Sequence, residues 1–296
     1  MAIRITVPGI MRLIWLTAAE EMRAVNDCSM VQRSVSGRGG LFQRAVAKKL
    51  AVFRTPEGDI WPAFRDRQDR QRAAHNCALE AALSDTRGLL KRVAPETGAL
   101  ARYVRFGRAN RAPEVIVQQM VGRLFFSDYA ASEESYDAAY VLQTWLSGGP
   151  IKAYLLKRSG ALQSALDQIT RLARGNMACA HATALAMENI VNSIALMGKL
   201  ARDSENLTKL DSKEAVRRTL RAPKRVIREA RDSGRIENVR LDARSLVVFG
   251  VEAARHKCPD IVFFVKGWNQ CPAHTIVPAL LADIWQRAQA MRDTSG

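Results

Sequence analysis

The sequence contains no run of about 18 uninterrupted apolar residues, so no membrane-spanning helix is expected. It has no G-x-x-x-x-G-K-[ST] phosphate loop, no G-x-S-x-G nucleophile elbow and no H-E-x-x-H zinc helix. The hydrolase and nucleotidase chemistries that announce themselves by motif are therefore excluded. Cysteine is scarce and odd in number, with five residues at Cys28, Cys77, Cys179, Cys258 and Cys271. A chain of 296 residues needs no covalent staples, which excludes a disulfide framework and points to a reducing, cytoplasmic compartment. Internal repeats and low-complexity tracts are also missing, which argues against a solenoid or a disordered tail.

What is present is a globular composition, 48% hydrophobic and 25% charged, enough for one large core or two ordinary ones. At the amino end Arg12 interrupts an apolar stretch and Glu20-Glu21 follow. A strand at Ile3–Val7 and an amphipathic helix are expected there rather than a cleaved leader. The glycine-rich SVSGRGG at Ser34–Gly40 then reads as a linker. Three regions follow from such punctuation: 1–40 as strand, helix and linker, 41–150 as a helical region with a small β-hairpin, and 151–296 as a helical core with a C-terminal module. The fold class expected is mainly α, a multi-helix bundle with a few short β-hairpins.

Locally, apolar spacing predicts a helix over Leu41–Leu50 and two short strands around the PEGD turn within Val52–Phe64. Helical periodicity returns at Arg65–Leu90. Ser132 is placed to cap a helix running to Leu146, with Glu133 and Glu134 in its first turn. From Ile151 to Asp203 the pattern is helical again, and the Met-rich MACAHATALAMENIVNSIALMGKL is expected to be the central buried helix. Near the carboxyl end, DIVFFVKGWNQ reads as a strand.

Charge is the least evenly distributed property. Lys and Arg number 45 against 29 Asp and Glu, a net +16. Between Lys213 and Arg244 there are eleven basic and five acidic residues, and clustered charge of one sign implies an anionic partner. Ser212 reads as the cap of a helix KEAVRRTL, Pro223 as the opening of a second helix closed by Gly234, and RIENVRL as the start of a hairpin. The order helix, turn, helix, hairpin in SKEAVRRTLRAPKRVIREARDSGRI resembles winged helix-turn-helix DNA-binding domains. That resemblance implies a recognition helix carrying Lys224, Arg225, Arg228 and Arg231, with Arg240 and Arg244 in the wing. Arg217, Arg218 and Arg221 line the first helix. A solvated face is the competing reading, with Glu214 and Arg218 as an i,i+4 pair. A second ladder, Arg102, Arg105, Arg108 and Arg111, is interleaved with Tyr103 and Phe106 and suits phosphates or stacked bases.

All four histidines lie two or three residues from a cysteine. Along a helix, residues two apart diverge by about 200°, so His75/Cys77 and Cys179/His181 are expected to be core pairs. His256, Cys258, Cys271 and His274 offer four N/S donors at turns, a candidate structural zinc site without the usual Cys-x-x-Cys knuckle. Otherwise no cofactor is expected. The reading with most support is a non-enzymatic nucleic-acid-binding protein, DNA before RNA and homo-oligomeric, as in a regulator or a replication or partition factor of a mobile element. A nucleocapsid or coat-like protein is the first alternative. A metal-dependent nuclease using Asp242, Glu252, Asp260 and Lys266 is the second.

Overall fold

A computed structural model describes residues 2–55 and 57–291, the side chains of Ser204 and Glu205 excepted. The chain forms two compact units, one from the described residues up to Cys77 with Ala222–Cys271, the other from Ala78–Arg221 with the described residues from Pro272 on.

The first unit is built on a sheet whose strands are β1 (Ile3–Val7), β2 (Met11–Leu16), β3 (Val31–Gln32), β4 (Val226–Ala230) and β7 (Leu246–Phe249). Their order is β1-β2-β7-β4-β3. Only β2 and β7 run parallel, with Leu13 opposite Leu246 and Leu16 opposite Phe249. Strand register sorts side chains by face, because successive residues point to opposite sides. Ile14, Leu16, Val247 and Phe249 enter a core with Met22 and Val25 of the helix Ala19–Asp27 and with Ile261. Fully burying each such side chain stabilises by about 1.5–3 kcal/mol relative to exposure. A separate hairpin joins β5 (Gly234–Ile236) to β6 (Val239–Leu241), its turn made by Glu237 at φ +49° and Asn238. Elsewhere in this unit Phe53 packs edge-on to Trp61 with centroids 5.2 Å apart, both rings fully buried.

The second unit is helical. Glu133–Ser147 packs on Ala161–Leu172, and Ile276–Ala290 packs on Ala94–Phe106 and Ser212–Thr219. Ser132 caps its helix as expected, in a reciprocal pair with Ser135. The Met-rich segment is buried, but Met177–His181 and Met187–Ala201 are separated by a π-helical turn at Ala182–Ala186.

Several expectations are corrected. The second helix of the helix-turn-helix does not form: Val226–Ala230 is a strand, pairing with β7 on one side and β3 on the other. The helical periodicity of PKRVIREARDSG is overridden because the β-branched Val226 and Ile227 lie opposite Phe249 and Val248, and β-propensity is decided by such neighbours. The expected PEGD hairpin is reduced to a single bridge between Arg54 and Ile60. DIVFFVKGWNQ is not a strand either. It is a 3-10 turn at Pro259–Phe263 followed by turns in which Phe264 and Lys266 adopt positive φ, at 49° and 68°.

Candidate functional site

The strand assignment changes what Arg228 does. On a helix it would share an outer face with Arg225, but on β4 it falls between Val226 and Ala230 on the core side and is only 6% exposed. Two further arginines converge on the same region of this unit. Arg33 directly follows β3, and Arg72 lies in the first turn of the helix Arg70–Leu83, only 4% exposed. Their guanidinium groups flank the Trp268 indole, with Arg33 at 5.5 Å and Arg72 at 4.9 Å from the ring centroid. Arg228 lies 5.8 Å from the Phe249 ring. Aromatic faces attract cations, but they carry no charge to neutralise them.

Carbonyls satisfy only part of the trio. Arg33 donates to Ala63 O at 2.6 Å, Arg72 to Arg65 O at 2.8 Å and Pro62 O at 3.1 Å, and Arg228 to Ile227 O at 3.0 Å. The Nε of all three is buried and has no hydrogen-bond partner. Asp66 is the near carboxylate: its oxygens accept from Arg33 N, Ser34 N and Ser34 Oγ, and its charge offsets part of the burial of all three arginines, with Asp69 adding to this at Arg72. The electrostatic consequence is large. Burial, then repulsion from Arg72, pushes Arg228 down to about 9, and burial pushes Arg72 down to about 10. Arg33 is held well below the ordinary arginine range by burial, by Arg228 and by Arg72. Burying unpaired charge is among the costlier things a fold can do. Such a trio is a socket for a ligand carrying at least one carboxylate or phosphate.

Cys271 belongs to the same electrostatic neighbourhood, since its negative form raises the Arg33 pKa. The loop that carries it is tightly held. Asn26 and Asn269 exchange amide hydrogen bonds of 2.8 and 2.9 Å, both side chains buried, and the Trp268 indole N–H donates to Asn26 O at 2.7 Å. The Cys271 N–H donates to Phe263 O at 2.8 Å. Phe264 and Lys266, both non-glycine residues at positive φ shortly before Cys271, mark backbone held against its preference, a common property of ligand clamps. The other cysteines lack this setting. Burial raises the Cys179 thiol to about 12, which keeps it protonated, and Cys77 is exposed.

The second unit has its own irregular feature. At the π-helical turn, Gln118 donates to Thr183 O at 3.2 Å and Gln143 to Ala184 O at 2.8 Å, capturing carbonyls that a regular helix would use. The Thr183 hydroxyl donates back to Cys179 O at 2.8 Å. Single π turns inside α-helices are frequent at functional sites.

The basic residues singled out from sequence are dispersed. Arg102 and Arg105 lie on a helix ending at Gly107, whose φ is 70°, while Arg108 and Arg111 lie beyond it and Arg111 donates to Ala131 O. Arg217 and Arg218 both engage Glu214, at 2.6 and 2.7 Å. Arg221 follows their helix. In the other unit Lys224, Arg225, Arg231, Arg240 and Arg244 are exposed. Among the described residues no three His, Cys, Asp or Glu side chains converge to hold a metal ion, so His256, Cys258, Cys271 and His274 do not form the zinc site considered above. The nuclease set fares no better: Glu252 accepts from Ala222 N and from Arg255 Nε, and Asp242 lies beside Arg240. Sequence reasoning missed Arg33, Arg72 and Trp268. Nothing local distinguishes them, because the trio is assembled from positions 33, 72 and 228 by the sheet.

No protein-family model matches the sequence, and neither does any curated protein. The fold, however, matches solved structures along nearly its whole length. CYP175A1 from Thermus thermophilus superposes with a TM-score of 0.64 at 13% identity, over 97% of this chain and 83% of that one. A six-coordinated cytochrome P450 from another strain of the same species gives 0.62 at 12%, over 97% and 86%. The LnmZ cytochrome P450 hydroxylase of Streptomyces atroolivaceus S-140 gives 0.57 at 13%, over 97% and 91%. The fold is that of the cytochromes P450, mainly helical with a small β region, and not a winged-helix bundle. This overturns the nucleic-acid-binding reading, whose recognition helix is a strand, and the coat-like alternative, which called for a groove lined by Arg102–Arg111 and Arg217–Arg231. The expectation that no cofactor is involved falls with it, since cytochromes P450 hold haem through a cysteine thiolate.

Proposed function

We propose that this chain is a haem-thiolate enzyme, a monooxygenase of the cytochrome P450 type. The observation that carries the reading is the buried arginine trio in the neighbourhood of Cys271. Haem has two carboxylates and an iron that takes an axial thiolate, and the first unit offers unsatisfied buried cations and a cysteine on a clamped loop.

In this reading Arg33, Arg72 and Arg228 would hold the haem carboxylates, whose charge would offset the burial that depresses all three arginines and the repulsion that adds to it at Arg33 and Arg228. Cys271 would supply the thiolate that binds the haem iron. The arginine next to it favours the thiolate, the form that ligates. Asn26, Asn269 and Trp268 act as positioning residues, since they fix the loop rather than touch the cofactor's reacting centre. When bound, haem supplies oxygen activation, and a thiolate ligand pushes electron density toward O–O cleavage.

Reconstitution with haem tests the proposal. The expected result is near-stoichiometric uptake and a thiolate-type Soret shift of the reduced carbon monoxide complex, lost in Cys271→Ser and kept in Cys179→Ala. Failure to take up haem, or a Cys271→Ser spectrum identical to the parent, would overturn it.

A further inference from the structure

The outer corner of the first unit is apolar where solvent should meet it. Ile3 is 52% exposed, Ile5 40%, Ile10 47%, Leu41 61% and Phe42 41%. These residues are contiguous. Ile3 and Ile5 sit opposite Trp15 and Leu13, and Leu13 sits opposite Leu246, so they share one face of the sheet. Glu229 pairs with Leu246 on that same face and accepts from Gln43 of the helix Leu41–Leu50, which places the helix start there too. Phe42 N–H donates to Ile10 O at 2.9 Å, and Leu41 N–H to Gly9 O at 3.2 Å, tying the helix to the β1-β2 turn. Exposed apolar residues scattered singly mean little, whereas a joined patch marks an interaction surface.

The chain segments that carry this patch hold charge of one sign. From Ala2 to Ala19 there is no Asp or Glu, and from Cys28 to Thr55 again none. Arg4 and Arg12 lie on the opposite face of the sheet, opposite Ile14 and Thr6, whereas Arg38, Arg44 and Lys48 belong to the segment that carries Leu41 and Phe42 and are exposed. A second copy of the chain would bring them face to face, which is repulsive. An acyl-lined surface beneath anionic headgroups matches both properties at once, since apolar side chains enter the boundary and cations meet the phosphates.

We propose that this corner docks on anionic lipid bilayers, holding the protein at the membrane surface without spanning it. No helix among the described residues is long and apolar enough to cross a membrane. The attachment is reversible and depends on both components, as one weak signal alone does not anchor a protein stably.

Co-sedimentation of the full chain with vesicles tests this, using phosphatidylglycerol/phosphatidylcholine against pure phosphatidylcholine. The expected result is binding to the anionic vesicles alone, weakened by salt and reduced about tenfold or more by Ile5→Glu with Phe42→Glu. Arg44→Glu with Lys48→Glu should reduce it comparably. Arg102→Gln with Arg108→Gln, which removes as many cations from the other unit, should leave it unchanged. Circular dichroism of each variant establishes folding, and if the glutamate pairs unfold, Ile5→Ser and Phe42→Ser serve instead. Absence of binding to anionic vesicles, equal loss from the Arg102/Arg108 control, or a dimer in gel filtration that the Ile5/Phe42 variant dissociates would each overturn the proposal. None of these readouts depends on haem.

Discussion

The guanidinium of Arg72 lies 4.9 Å from the centroid of the Trp268 indole, with Arg33 at 5.5 Å from the same ring. One aromatic side chain thus supports two cations that repel each other. An exposed cation-π contact is worth about 0.5–1 kcal/mol, and a desolvated one about 2, less than the several kcal/mol that burying an ion costs. The ring therefore lowers the penalty of the arginine trio without removing it, Asp66 offsets a further part, and a bound anion would lower it more.

The pH dependence of the haem-free protein follows from this. Arg228 and Arg72 sit at about 9 and about 10 in the fold, well below the ordinary arginine value. Between the folded and unfolded values the unfolded chain binds more protons, so their contribution to stability rises with pH. Their destabilisation is fully present below about pH 9 and is relieved progressively above it. Arg228→Met should raise the stability of haem-free protein at neutral pH by about 1–4 kcal/mol and flatten this rise, while weakening haem retention. Urea denaturation at several pH values, with and without haem, measures all three.

Glu214 gives the opposite sign. It is held down to about 2 by hydrogen bonds from Arg217 and Arg218, against a usual 4.5. A depressed carboxylate stabilises above its unfolded pKa and loses that contribution as pH falls toward the folded one. Glu214→Gln should therefore be less stable than the parent at pH 7, and the two should converge as pH falls from about 4.5 to about 2. Acid titration followed by far-ultraviolet circular dichroism shows whether they do.

The reciprocal amides of Asn26 and Asn269 are both buried. Asn269→Leu leaves Asn26 Oδ1 without its donor, while Asn26 Nδ2 keeps Asp27 Oδ1 at 3.0 Å, and an unsatisfied buried polar group costs about 1–3 kcal/mol. The chemical denaturation midpoint should fall accordingly, and haem should dissociate faster because the Cys271 loop loses its tie to the helix Ala19–Asp27. An unchanged dissociation rate would show that Trp268 alone holds the loop.

Gly122 lies in the buried part of the helix Pro113–Phe125, with the Tyr129 ring where a Cβ would be. Gly122→Ala must displace that ring, and overpacking of this kind costs about 1–3 kcal/mol. Since Gly122 and the arginine trio belong to different units, thermal denaturation should register the change while the haem affinity expected under the proposed function stays the same per folded molecule.

Elements whose character is set by nearby residues were readable from the sequence. The helix Leu41–Leu50, the strand Ile3–Val7 and the Ser132 cap all depend on local periodicity or capping. The hairpin expected of RIENVRL with SLVVFGV does not form: Gly234–Ile236 turns back onto Val239–Leu241, and Leu246–Phe249 pairs with β2 and β4 instead. Val226–Ala230 was not readable, because its segment carries a helical pattern and only pairing with Leu246–Phe249 makes it a strand. That one reassignment turns Arg228 from a surface cation into a buried one.

The sequence by itself therefore determined that the chain is basic, mostly helical and able to bury a substantial core. Tertiary structure alone decided which of its cations are buried together. Coulomb interactions and desolvation depend on distance in space, and positions 33, 72, 228 and 271 become neighbours only when the sheet and its loops close around them.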